Sequence, residues 1–458
     1  MKSFSTRKGI MALEGLELDT PPVSTEATPG GNAVVHDPEE LVANDLADMS
    51  EASAEGDTID EATTEALEIT DTLGGIQGAM TEANERGDGV SAPVAQALST
   101  AIEHFRMRMG FPKGRAFPAM ENFGGKMSRK EATALALEGI ADTLRNAWAA
   151  IIKAIKAAVQ WVKDFFTKFK FAAKKLADRA DSLNKKAATA DIKEGKIGEG
   201  KAKTLSQSLS VDGKIPEGKA FVGILTGYID ETEQELKTLY GGASGIIDNV
   251  NKLVNRFSAP VSSASVGSDT HGMIANLVGV LFKSTGAYVP PTHEETPPPK
   301  GCRHLTRKLP FGGVANYVVI PQVTLEPPEQ LEALAHFKMY IAAAGGAEPP
   351  AGETTEIDRL LSKDIQTLTE KISRNMRTNV EHERSLKLLE ESADKMEKIA
   401  KHIGAEKEQS PDLNFLTKLA GIMSKLIQSY VGGFITNNLK YEADVCKHTL
   451  DYCEASLA

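Results

Sequence analysis

The stretch 143–186 constrains the rest of the chain most. Its central part, AWAAIIKAIKAAVQWVKDFFTKFKFAAKKL, places Trp148, Ile151, Ile155, Ala158, Val162, Phe165, Phe169, Ala172 and Leu176 at steps of three and four. That spacing aligns one face of an α-helix. Ile152, Val159 and Phe166 widen the seam into a stripe, and Lys153, Lys156, Lys163, Lys170 and Lys174 fall on the other side. Eleven Lys/Arg against three Asp give the stretch a net charge of +8. A long helix of this kind needs apolar partners along its stripe and water or anions along its lysines.

Charge is divided along the chain. The net −11 comes from residues 1–138, with 24 acids against 11 bases, while residues 139–458 hold 39 acids and 41 bases. Aromatics are only 6% of the chain, which suits helices better than a β-rich core. The three cysteines make no disulfide framework. Cys446 and Cys453 are seven apart on an expected helix, about 10 Å along its axis and too far to bridge. A reducing compartment follows. No run of eighteen apolar residues occurs, so no transmembrane helix is expected. The opening MKSFSTRKGIMALEG lacks the apolar core of a secretory signal.

Read in order, the chain divides into five parts. Residues 1–138 are an acidic leader, poor in aliphatics and expected to be largely disordered or loosely helical. Within it, 101–128 is more apolar and suited to docking on a later helix. Ser128 and Glu131 fit a capping box that opens the cationic helix of 139–190. Residues 191–285 begin with a Gly/Lys-rich linker and continue as helices. A pair is expected over 216–257, broken at Gly241 and Gly242, followed by a buried helix at 273–282. Residues 286–326 hold a Pro-rich loop and a β-hairpin built from HLTRKL and NYVVIPQVTL, with Pro321 keeping its strand at an edge or interrupting it. Residues 327–458 return to long helices, the last starting at Pro411 and kinked near Gly432 and Gly433. The expected fold is mainly α, an elongated bundle of long amphipathic helices with a small β-hairpin insertion.

Site chemistry is sparse. No Walker loop, GxSxG, HExxH or CxxC occurs, so no catalytic residue, metal site or cofactor is expected. Cys302 and His304 form at most half a metal-ligand set. The cationic helix has three readings: a bundle element with solvated lysines, a sequence-independent surface for phosphates, or a membrane-surface element using Trp148, Trp161 and Phe166.

A short repeat adds to this picture. Ala-Leu-Glu-Gly occurs at 12–15 and again at 136–139, where the acidic leader gives way to the basic helix. Related small-x-Glu triplets end at Glu55 and Glu68. The junction SRKEATALALEGIADTLRNAWAAIIKAIKAAVQWVKDFF, with RKLPFGGVANYVVIPQV further on, resembles the internal head (virion) proteins of large tailed bacteriophages. That resemblance implies an N-terminal propeptide removed by the phage prohead protease after a small-x-Glu triplet. Glu138, followed by Gly139, is the foremost position; Glu14 (before Gly15), Glu55 and Glu68 are further ones. It also implies a structural role inside the phage head, with the host cytoplasm occupied before assembly. The other head proteins, the protease and packaged DNA would be its partners.

On this reading the acidic leader shields the cationic helix until it is cut. Lys153, Lys156, Lys163, Lys170 and Lys174 then face the DNA without sequence preference, and the protein is possible cargo for ejection with the genome. The alternative is a membrane-active helical effector or pore-forming protein. A plain coiled-coil scaffold is a third reading, with neither activity and no truncated form.

Overall fold

The computed structural model describes residues 38–87, 89–108, 128–211, 213–257, 263–291, 297–343, 356–380, 390–391, 394–395, 397–398 and 411–458. Among these the chain is mainly helical with a small antiparallel sheet, as the sequence leads one to expect. The elements are α1 (Pro38–Glu85), α2 (Ala92–Arg108), α3 (Arg129–Thr189), β1 (Lys196–Ile197), α4 (Glu199–Leu209), α5 (Gly218–Phe257) and α6 (Ser263–Ser284). They continue with β2 (Cys302–Lys308), β3 (Val314–Pro321), α7 (Pro327–Leu334), β4 (Lys338–Ala343), β5 (Ile357–Asp358) and α8 (Ser362–Val380). The chain closes with α9 (Pro411–Ile427), a π-helix (Gln428–Ile435) and α10 (Thr436–Leu457).

The cationic helix α3 is the axis of the molecule. It begins directly after Ser128 and runs for 61 residues, about 90 Å at helical rise. No proline occurs between Pro118 and Pro216 to stop it. Its seam is buried as the spacing demands: Ile151, Ala158, Val162, Phe165, Phe169, Ala172 and Leu176 all lie in the core. The downstream half packs against α8, which runs antiparallel. Asn184 Nδ2 donates to Gln366 O at 3.2 Å and to Thr369 Oγ1 at 3.0 Å. Asp181 accepts from Ser373 Oγ at 2.7 Å and from Arg377 at 2.5 Å. Arg179 ties the same half to α10 through Asp451 at 2.7 Å and Glu454 at 2.5 Å.

The leader departs from expectation. From Pro38 on it is not loose chain but the 48-residue helix α1, packed along α3. Ile59, Thr63, Ala66, Thr70, Leu73, Gln77 and Met80 follow steps of four and three, and all are buried. This is a helical seam in which every second place is small or polar, so an aliphatic pattern does not reveal it. The threonines satisfy themselves: Thr63 and Thr70 each donate to the carbonyl four residues back, at 2.8 Å. Thr63 Oγ1 also lies 2.9 Å from the Gln428 side-chain amide. Gly421 on α9 leaves room for Leu67, whose Cδ2 would collide with any Cβ there. Ile59 and Ala66 join the main core, whereas Ile69, Leu73, Met80, Val90 and Ile102 form a second cluster with Ala136, Ile140, Leu144, Ala147 and Ala154 of α3.

Three further details differ from the sequence reading. Helix α5 runs unbroken through Gly241 and Gly242. At Gly242 a Cβ would overlap the Tyr430 hydroxyl and meet Ser284 Oγ at 2.7 Å, so this glycine serves close packing and not a break. The hairpin gains a third strand, in the order β2-β3-β4. Strand β3 is therefore central, not an edge. Pro321 is tolerated because it pairs only with Cys302, beyond the stretch Val314–Val319 that β4 covers. Around Gly432 and Gly433 the last helix widens into a π-helix between α9 and α10, and a Cβ on Gly433 would lie 3.3 Å from Met339 O of β4.

Candidate nucleic-acid interface and processing site

Helix α3 presents its lysines on the side away from its buried seam. Lys153, Lys170 and Lys174 are exposed. Lys156, also exposed, and the half-buried Lys163 are paired: Lys156 Nζ lies 2.9 Å from Glu397 and Lys163 Nζ 2.6 Å from Glu390. The acids that neutralise these two cations therefore come from the C-terminal part of the chain. Leader acids instead meet Arg108, through Glu65 at 2.6 Å, and Lys418, through Asp71 at 2.9 Å. The direct ion-pair partners of Lys156 and Lys163 are thus not leader acids. Glu390 and Glu397 were not singled out by sequence reasoning, because nothing local relates them to a helix more than two hundred positions earlier.

The membrane-facing assignment of two aromatics is also corrected. Trp161 and Phe166 are buried in the main core, because the helix stripe is wide enough to meet protein on several sides. Trp148 lies on α3, with its side chain outside the described residues. No helix among the described residues is long and apolar enough to cross a membrane.

Glu138 and Gly139 lie inside α3, ten positions from its start, and Glu138 is exposed. Their neighbours Ala136 and Ile140 are fully buried. The helix start is held from the loop after α1. Val90 N–H donates to Thr133 Oγ1 at 3.0 Å, and Thr133 Oγ1 donates to Arg129 O at 2.6 Å. Gly89, with φ +57, sits so close that a Cβ would come 2.8 Å from the Arg129 carbonyl carbon. A protease takes its substrate extended, so cutting here requires these first turns to open. Glu68 is exposed within α1, and Glu55 lies within the same helix with its side chain outside the described residues. Glu14 and Gly15 lie outside the described residues altogether.

The remaining candidate groups are structural. Cys302 is buried and its Sγ donates to Ala333 O at 3.4 Å; burial pushes its thiol up to about 11. Burial likewise raises the Cys446 and Cys453 thiols, which suits packing and not nucleophilic chemistry. Among the described residues no group of three or more His, Cys, Asp or Glu is placed to hold a metal ion.

A long cationic helix carrying an acidic helix along its first half is thus the outstanding construction of the molecule. A family model for phiKZ-like phage internal head proteins matches residues 36–455. The chain belongs to that family. The match takes in α1 as well as α3 and the C-terminal helices. Membership places the protein inside the phage head and implies association with other head components. Comparisons with curated proteins and with solved structures give no match.

Proposed function

We propose that this internal head protein is a structural, non-catalytic component. It is packaged in the procapsid, trimmed after Glu138 by the phage prohead protease, and held against packaged DNA by the lysine face of α3. The observation that carries the DNA contact is the exposure of Lys153, Lys170 and Lys174 along one side of a single long helix. Inside a head, that face meets concentrated phosphate, and binding through it is sequence-independent and weakened by salt. The family supports the location; the helix supports the contact. Delivery with the genome at ejection is compatible with this surface.

The processing step acquires a structural condition. Because Glu138 lies within a helix pinned by Val90 and Thr133, the cut follows local opening of α3. Glu68 and Glu55 face the same requirement within α1. Intact mass and N-terminal sequencing of protein from mature particles test this: a chain starting at Gly139 is expected, and an uncut amino terminus in those particles overturns it. Lys153→Gln, Lys170→Gln and Lys174→Gln in combination are expected to shift elution from DNA–cellulose to lower salt without unfolding the protein.

A further inference from the structure

We infer that the α3 surface centred on Phe171 is a contact for unpaired nucleotide bases, with flanking lysines engaging the phosphates. This rests on the DNA-contacting reading above and narrows it to one place and one form of nucleic acid.

Phe171 stands 60% exposed, in a helix whose Phe165, Phe166 and Phe169 are buried. It lies off the apolar seam, so core packing does not account for an aromatic residue here. Its surroundings are cationic. At helical spacing Lys168 lies three residues before it, and Lys174 and Lys175 three and four after it, the distances that bring side chains together on one face. Lys174 is exposed and Lys168 half-buried. Lys170 and Lys175, which also interact within the chain, add to the local positive field. Asp164 and Asp178, seven residues to either side and both exposed, end the patch, which is therefore about 20 Å long.

An aromatic face ringed by ammonium groups matches a base ring flanked by phosphates. Stacking needs a base whose face is free, which a closed duplex does not offer, whereas lysines serve either form. The complementarity of charge favours a polyanion, and the central ring selects the unpaired form. The upstream lysines do not compete for this role equally, since Lys156 and Lys163 are already paired with Glu397 and Glu390.

The test uses the full chain with fluorescein-labelled oligo(dT) and a duplex of the same length, followed by anisotropy over a salt series. The single strand is expected to bind more tightly. Phe171→Ala should weaken oligo(dT) binding by roughly 5- to 100-fold with the salt slope unchanged, and Phe171→Trp should retain it. Lys168→Gln with Lys174→Gln should lower the salt slope by about 1 to 2 for both forms. Oligo(dT) binding that is untouched by Phe171→Ala overturns the inference, as does an equal loss for strand and duplex. So does a Phe171-dependent gain on phosphatidylglycerol vesicles without one on oligo(dT), which would make a lipid surface the occupant. Unchanged DNA binding by the Phe171→Ala protein sinks this inference alone. Failure of the wild-type chain to bind any DNA removes the DNA-contacting reading beneath it.

Discussion

The two halves of α3 are packed by different means. Upstream, Ala136, Ile140, Leu144, Ala147 and Ala154 meet α1 and α2 in a small cluster of its own. The seam that α1 presents includes Thr70 and Gln77. Downstream, Phe165, Phe169, Leu176 and Leu183 sit in the main core with Ile365, Leu368, Ile372 and Met376 of α8 and with α10. Burial per residue is larger there, and Phe165 stacks on Phe169 at 6.3 Å. One helix thus spans a region built to stay closed and a region with less holding it, the arrangement expected where local opening precedes global unfolding. The proposed cut lies in the weaker half.

The strongest challenge to this comparison is a matched pair of truncations. Phe169→Ala should cost roughly 3–5 kcal/mol and lower the main thermal transition. Ile140→Ala should cost about 2–4 kcal/mol, but appear first as faster hydrogen exchange over 129–147. If both variants shift one common transition by the same route, the two halves are a single cooperative unit.

The downstream packing also holds a titrating group. Glu442 on α10 is fully buried, and burial pushes its carboxyl up to about 7, against hydrogen bonds from Asn375 at 2.6 Å and Asn379 at 2.9 Å. The folded value lies above the ordinary 4.5. Its stabilising effect is therefore complete below that ordinary value and is lost as pH rises through the folded one. Glu442→Gln should raise the unfolding free energy from urea titration at pH 8, by on the order of 3 kcal/mol at most, and change it little at acidic pH. The oxygens Asn375 Oδ1 and Asn379 Oδ1 have no partner, so either amide can turn to receive the new N–H. A difference that does not vary with pH would contradict this account.

Two smaller effects sharpen the picture. Gly242→Ala should destabilise by about 1–3 kcal/mol through collision with Tyr430, and Tyr430→Phe in the same chain should relieve part of it in a double-mutant cycle. Thr133→Val removes the acceptor for Val90 N–H and should cost about 1 kcal/mol, confined to the upstream half. Digestion with a glutamate-specific protease should then cut after Glu138 sooner, while the main melting transition stays in place.

Much of the helical layout was legible in the sequence. The three-four spacing of α3, the proline at the start of α9 and the glycines of the hairpin turn all act locally, and Gly312 and Gly313 do take positive φ of 68° and 63°. The packing of α1 is not legible in the sequence, because its seam hides threonine and glutamine among aliphatics, and a threonine that bonds back to its own helix buries at little cost. Of the candidate site, the lysine positions were legible but their states were not. Whether Lys156 is free depends on Glu397, and nothing within a few residues of either encodes that pairing.

Sequence alone determined that α3 is a long amphipathic helix with a cationic side, because helix geometry converts spacing directly into faces. Tertiary structure alone decided which partners those faces meet: α1 upstream, α8 and α10 downstream, two lysines captured and Phe171 left in water. Periodicity is a property of neighbours a few residues apart. Partnership depends on contacts hundreds of residues away, and those form only when the whole core closes.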